Sequence, residues 1–501
     1  MLPCKIFSPR HITDKTIDDN DCCSAAQGRP ATNPSVIYNI HAQFHGQDNP
    51  VQCFSLWADR GHSTPPIQGR SANNQHLAGH EYSWVSSIFY FGYLVWQWPT
   101  NLLILRLPVA KYLAANTFLW GAVVAVTAAC VNYAGLLAVR FLLGVAEATI
   151  TPAFMFITTT WYTREEIPVR TGIWFSGNSV GGLLASLLAY GLGHIEHPLR
   201  PWMWMFLFLG VVTFFWGFVI LSFLPDSISD ASFLTEEEKF FVSRRTVIAG
   251  TGRTEGTKYN RNQAIECLFD PKTWHLVGIV ISTQIPNGGI QNFANLVVKS
   301  FGFTALESAL INIPVSLIGA ATITLTGWLA GRFKNLNCIL IACVLAISGT
   351  GSVLIRVSAR RPVQLVGYFL LATGPGALPL TMSLAQTNYK GVTKKMTMTG
   401  LMFVAYCLGN IAGPHIFSAE AASYEASFGT ILVCDALAVA LALSLYFYLR
   451  RVNLRRECEE TDIPAARSET GNSEESPLLH PGQDRFDDAT DWNTFGFRYR
   501  C

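Results

Sequence analysis

Charge is scarce in this sequence. Asp, Glu, Lys and Arg make up 14% of its 501 residues, against roughly 25% in an average soluble domain, and that shortage excludes a soluble enzyme. Neither sign is in excess. A net charge of +2 leaves no electrostatic footprint for nucleic acid or for an anionic surface. A phosphate-binding loop with Gly-Lys-Ser/Thr is absent, so no nucleotide is expected to drive the protein. Histidine boxes and nucleophile motifs are missing from the apolar runs, which argues against a membrane enzyme and leaves no cofactor to expect. The twelve cysteines show no metal-ligand spacing, and Cys130, Cys338, Cys343, Cys407 and Cys434 lie inside apolar runs, so neither a disulfide framework nor a metal site is implied. His194 and His197, with Glu196 between them, lack two further ligands for zinc. No charged-then-apolar signal peptide opens the chain, Cys501 makes no prenylation box, and Pro34 spoils the sequon at Asn33.

What the sequence does have is apolar length. Half of it is hydrophobic, and that half is concentrated between two polar ends. A bilayer core of about 30 Å needs roughly 20 apolar residues per helix. Eleven stretches qualify: 85–105, 117–139, 141–161, 171–192, 202–224, 275–298, 309–329, 338–355, 363–384, 396–417 and 428–449. The expected fold class is therefore an all-α integral membrane protein. Its expected parts are a polar, unstructured or misread N-terminal region (1–80), a bundle of five segments (81–224), a cytoplasmic linker (225–273) with a helix capped near Thr235, a bundle of six segments (274–449) and a solvated polar tail (450–501). Twenty loop lysines and arginines fall on one side of the array and five on the other. The richer side, with the tail, is expected to be cytoplasmic, which puts the N-terminus outside.

Two halves with a long linker suggest a duplication. At an offset of 228, Phe141-Leu142-Leu143 falls on Phe369-Leu370-Leu371, Thr171-Gly172 on Thr399-Gly400, and Gly181 on Gly409. The same offset places a partner for 275–298 at 47–70, a stretch too polar to cross a bilayer. The first helix of a six-plus-six arrangement is missing from its expected place.

Charges inside a membrane helix cost about 3 kcal/mol on insertion scales and call for a reason. Arg140 and Glu147 stand seven residues apart, two turns along one helical face. They can line one cavity, with Glu147 exchanging a proton and Arg140 attracting an anion; equally, they can be a buried pair that holds two helices together. Gln284, Asn287, Gln291 and Asn295 form a polar stripe, with Asn292 beside it and Pro286 and Gly288-Gly289 expected to break the helix. Such a stripe suits a cavity wall or interhelical hydrogen bonds. Asn178, Tyr406 and Asn410 are further candidates for the cavity, as are Tyr90, Tyr93, Trp96, Trp98 and Trp174, although aromatic residues near helix ends commonly anchor to the membrane surface. Gly181-Gly182, Gly374-Pro-Gly376 and Gly409 to Gly413 read as close-packing or hinge points. Asp435 is an isolated intramembrane acid.

The run Arg140-Phe-Leu-Leu-Gly-Val-Ala-Glu-Ala148, followed by Trp161-Tyr-Thr-Arg-Glu-Glu166 and Arg170-Thr-Gly-Ile-Trp174, resembles the fungal allantoate-permease branch of the anion:cation symporters in the major facilitator superfamily. The resemblance continues through Glu81 to Tyr93 and into the tail, Asp488-Asp-Ala-Thr-Asp-Trp492 with Phe497-Arg-Tyr499. It implies two six-helix bundles and a secondary transporter that takes up a small organic anion (allantoate-, ureidosuccinate- or vitamin-carboxylate-like) together with protons, as a monomer in the plasma membrane. It also carries Glu147 over as the proton-coupling residue and Arg140 as a substrate-side residue. Departures keep two alternatives open. The family's charged first helix has no counterpart here, which suits a non-transporting, sensor-like homologue. Export of a metabolite is the other alternative, although Gly177-Asn-Ser-Val-Gly181-Gly182 lacks the proline of the drug/proton antiporters. Glu474-Glu-Ser-Pro-Leu478-Leu479 fits an acidic dileucine signal for a vacuolar or endosomal membrane.

Overall fold

The computed structural model describes residues 74–130, 132–192, 199, 201–248, 259–303, 305–358, 360–416, 425–469, 489–494 and 496–501. The polar region ahead of 74, the histidine pair at 194 and 197 and the dileucine stretch lie outside the described residues. All regular structure among the described residues is helical.

In the first half, α1 (Asn74–Arg106), α2 (Val109–Thr127), α3 (Tyr133–Glu147), α4 (Ile150–Trp161), α5 (Ile167–Leu192) and α6 (Pro201–Phe223) follow one another. Two short helices, α7 (Glu236–Ile248) and α8 (Arg261–Phe269), occupy the linker. The second half holds α9 (Pro271–Ser300), α10 (Ala305–Arg332), α11 (Asn337–Val357), α12 (Arg361–Leu371), α13 (Ala377–Asn388), α14 (Val392–Ile416) and α15 (Glu425–Glu469). Nine spans among the described residues, with α3–α4 and α12–α13 each counted as one, are long and apolar enough to cross a membrane. The other two expected segments are α1 and α9, of 33 and 30 residues. Tyrosines and amides lower their hydropathy without shortening them.

Local chemistry sets several boundaries. The second segment was expected at 117–139, but α2 starts directly after Pro108 and ends at Thr127, and Asn132 caps α3 by accepting from the Gly135 amide at 2.8 Å. A capping asparagine outweighs an apolar run, because it satisfies donors that the helix start would leave unpaired. Thr235 and Glu238 form a reciprocal capping box at α7, with bonds of 2.8 and 3.4 Å.

The breaks also fall elsewhere than expected. α9 runs unbroken through Pro286 and Gly288-Gly289. The interruptions come instead after Glu147, between α3 and α4, and at the 3-10 turn Gly374–Gly376, between α12 and α13. Glu147 and Pro375 are related by the repeat offset of 228.

Glycines bring the helices together at backbone distance. A Cβ on Gly144 would lie 1.9 Å from the Phe89 carbonyl oxygen, fixing α3 against α1, and one on Gly413 would lie 2.6 Å from the Gly289 nitrogen, fixing α14 against α9. The halves meet where α5 packs on α10 and α1 on α14. At the basic end of the first contact Gly172 and Gly327 leave no room for a side chain. Along the second, the Ser83 hydroxyl donates to the Pro414 carbonyl at 3.2 Å and the Ser87 hydroxyl to the Ile411 carbonyl at 3.3 Å. Phe215, Phe218 and Leu221 of α6 point outward, as expected of a helix whose surroundings are lipid rather than water.

The tail departs most from expectation. α15 continues 20 residues beyond Leu449, and residues 489–494 and 496–501 fold back onto the basic end of both halves instead of remaining solvated. There Asp491, Phe497, Tyr499 and Cys501 are buried.

Candidate transport site

A cavity of about 170 Å³ lies between the halves, with walls from α5 and from α9 through α15. Five residues read from sequence as candidates for the cavity, Asn178, Gln284, Asn287, Gln291 and Tyr406, line it, together with Asn292 and Asp435. Four of the five come from unbroken stretches of α9 and α14, so side chains rather than freed backbone groups form the polar surface. The side chain of Asn295 lies outside the described residues.

Asn410 belongs to the support of this wall and is fully buried behind it. Its Nδ2 donates to Gln284 Oε1 at 3.1 Å and to the Tyr406 carbonyl at 2.9 Å, while its Oδ1 accepts from Asn287 Nδ2 at 3.3 Å. Asn287 Nδ2 also reaches Gln284 Oε1 at 3.1 Å. The three amides thus fix one another, and a wall held in this way presents its remaining donors and acceptors in set directions.

Glu147 lines a second, smaller space of about 30 Å³, along with Trp120 and Thr151. Phe175, Asn178, Leu378 and Tyr406 face both spaces. The carboxyl is therefore separated from the amide wall by one layer of side chains. Tyr406 also joins the aromatic cluster at the α1–α14 contact, with ring centroids 6.0 Å from Tyr90 and 5.9 Å from Tyr93. Arg140 is buried on α3 and lines neither space.

Sequence reading missed part of the lining. Asn312, Ser316, Ser348 and Tyr368 face the cavity, and Tyr368 donates to Asn312 Oδ1 at 3.1 Å. Asn312 carried a usable signal, a lone amide in an apolar run just before Pro314. Asp435 was visible as a lone acid, but its facing the same cavity was not. Among the described lining residues there is no lysine, arginine or histidine.

At the basic end a second cluster went unforeseen. Lys272 and Lys394 are buried among Asp270, Glu266 and Asp491. Lys272 Nζ lies 2.8 Å from Asp270 and also pairs with Asp491, while Lys394 Nζ lies 2.7 Å from Glu266, 3.1 Å from Asp270 and 2.9 Å from Asp491. Tyr499 donates to Asp491 at 2.7 Å. Burial by itself would push the Asp491 carboxyl up, but the two ammonium groups outweigh it and hold it below the usual carboxylate range. The same segment reaches the first half. Arg164 donates to the Arg498 carbonyl at 3.0 Å and lies over the Phe497 ring, and Arg500 pairs with Glu165 at 3.4 Å. Burial and the neighbouring Arg500 lower the Arg164 guanidinium to about 10.

Helix pairs around a central cavity, in two halves, have counterparts in known proteins. Residues 53–414 match the family model for the Major Facilitator Superfamily. An uncharacterized transporter of Schizosaccharomyces pombe is 33% identical over 452 residues, covering 90% of this chain and 86% of its own. The allantoate permease of Saccharomyces cerevisiae is 33% identical over 441 residues, covering 84% and 78%. The structure of the proton:xylose symporter XylE superposes with a TM-score of 0.66 at 13% identity, covering 83% of this chain and 94% of its own, which is a likeness of fold. The chain belongs to the Major Facilitator Superfamily, in its fungal allantoate-permease-like branch, and is a multi-pass membrane transporter rather than an enzyme.

Proposed function

We propose that the protein takes up a small organic anion of the allantoate, ureidosuccinate or vitamin-carboxylate kind by proton symport. The observation that carries this reading is the amide wall of Gln284, Asn287 and Gln291 with Asn178 opposite, one side-chain layer from the carboxyl of Glu147. A primary amide offers a donor pair and an acceptor at the spacing of a ureido or carboxamide group, so such a wall recognises the uncharged part of a ureide. The permease relative is named for a ureido acid. Asn410 holds the wall in place.

Glu147 takes the coupling proton. It stands beside the layer that includes Tyr406 and Asn178, so substrate contact on one side and protonation on the other bear on the same side chains. Arg140, two turns away on α3 and outside the lining of both spaces, acts on the substrate carboxylate and on Glu147 by its charge and not by contact with the cavity. Alternating access is rocking of the two halves about the α1–α14 and α5–α10 contacts. The protein works as a monomer in the plasma membrane.

The test is accumulation of labelled allantoate by yeast cells that lack their own permease and express this chain. Acidifying the medium should raise accumulation, and Glu147→Gln should abolish it while the protein still reaches the cell surface. Accumulation indifferent to external pH would overturn symport. Efflux in place of uptake would overturn the direction.

A further inference from the structure

Asp435 belongs neither to the amide wall nor to the space around Glu147. It sits on α15 with 4% of its surface exposed, and it lines the main cavity together with Ser348 of α11 and the amides of α9. Among the described residues its Oδ2 has no hydrogen-bond partner. A buried carboxylate with an unpaired oxygen is costly unless a cation or a proton neutralises it.

Among the described residues no cation is in place to do so. Of the helices packed on α15, α11 carries Arg356, eight residues and about 12 Å of helix beyond Ser348, with its guanidinium against Gly429. On α9, Lys272 and His275 lie at the basic end, where Lys272 is held by Asp270 and Asp491 and His275 contacts Ser444 and the Pro271 carbonyl. The titratable groups nearer to hand are Cys434, next in the chain, and the phenols of Tyr368 and Tyr406 on the cavity wall. None is positively charged at neutral pH. Glu147, beyond the Tyr406 layer, adds only negative charge.

We propose that Asp435 is a second proton-binding site, set in the wall of the substrate cavity in the C-terminal half, and that it must hold its proton for the cavity to accept an organic anion. Ionised, it would repel the substrate carboxylate from a space with no lining cation among the described residues. Protonated, it becomes a hydrogen-bond donor aimed at the acceptor oxygens of a ureide or carboxylate. The proton enters from solvent when the cavity is open and leaves with or after the substrate, so no bond to carbon is made or broken. The link to anion uptake rests on the function proposed above; the protonation does not.

Infrared difference spectroscopy on the purified full-length protein reads the proton directly. At neutral pH a protonated-carboxyl stretch is expected that disappears in Asp435→Asn, shifts in Asp435→Glu and survives in Glu147→Gln. Absence of a band sensitive to Asp435 would overturn the proposal, whatever the substrate proves to be. The second arm measures allantoate affinity against pH. The wild type should lose up to about tenfold per pH unit once the coupling groups ionise, and Asp435→Asn, a neutral mimic of the protonated acid, should flatten that slope. An unchanged slope in Asp435→Asn would overturn the role in anion acceptance. If allantoate bound to neither form while the band behaved as expected, the substrate reading would fail and the proton site would stand.

Discussion

Asp491 is a residue whose loss the structure makes costly. Its two carboxylate oxygens serve Lys272 and Lys394, which with Asp491 itself are at most 2% exposed, and it accepts from the Tyr499 hydroxyl. Replacing it with asparagine keeps the shape and removes the charge. Breaking a buried ion pair by deleting one partner costs about 3–5 kcal/mol, since the other charge stays buried. Here Asp270 still contacts both lysines and Glu266 still holds Lys394, so the low end, about 3 kcal/mol, is expected. With an unfolding entropy of about 2 cal/mol/K per residue, that lowers the melting temperature of the purified protein by about 3 °C. The pH dependence carries the sign. The Asp491 carboxyl is held low in the folded protein, so its contribution is full above the unfolded value of about 4 and is lost as pH falls through the lowered folded value. The gap in melting temperature between wild type and Asp491→Asn should therefore persist from neutral pH down to about pH 4 and close only below it. A gap that is absent at neutral pH, or that closes as pH rises, would refute the assignment of Asp491 as the counter-ion of two buried lysines.

The amide wall predicts that Gln284→Ala leaves Nδ2 of Asn287 and of Asn410 without their shared acceptor, a loss of about 1–3 kcal/mol per buried group; in uptake assays this should appear as a Michaelis constant raised about tenfold or more. At the α1–α3 contact, Gly144→Ala sets a methyl group 1.9 Å from the Phe89 carbonyl oxygen, and the protein should fail to reach the surface in a fluorescent-tag expression screen, whereas Ala153→Gly should still reach it. Thiol labelling of the purified protein should mark Cys458, which is exposed, and spare Cys267, which is buried and whose thiol burial pushes up to about 11.

The fold was readable from sequence because the bilayer imposes a length and a hydropathy on each spanning helix. That constraint says little about where helices break. The run over 117–139 looked continuous because Ala128 and Ala129 are as apolar as their neighbours, yet the cap at Asn132 and the start after Pro108 moved the helix back to Val109–Thr127. In α9, Pro286 and two glycines looked like a break. In the folded protein the glycines serve approach instead: Gly288 fits against Asn410 and Gly289 against Gly413.

The site was half legible for a related reason. An amide or an acid in an apolar run announces that it needs a partner, which is why Gln284, Asn287, Glu147 and Asp435 stood out. Which partner it finds depends on the helices that pack beside it, and those come from far along the chain: Gln284 pairs with Asn410 across 126 positions, and Lys272 with Asp491 across 219. The tail shows the same limit most sharply, because polar sequence reads as solvated chain until the charges it neutralises are known. Residues 489–494 and 496–501 are polar because they complete an ionic cluster formed by α8, α9 and α14, and through Arg164 and Glu165 they tie that cluster to the first half. The segment therefore joins the two halves at the end where Gly172 already meets Gly327, and any movement that opens that end must separate both contacts.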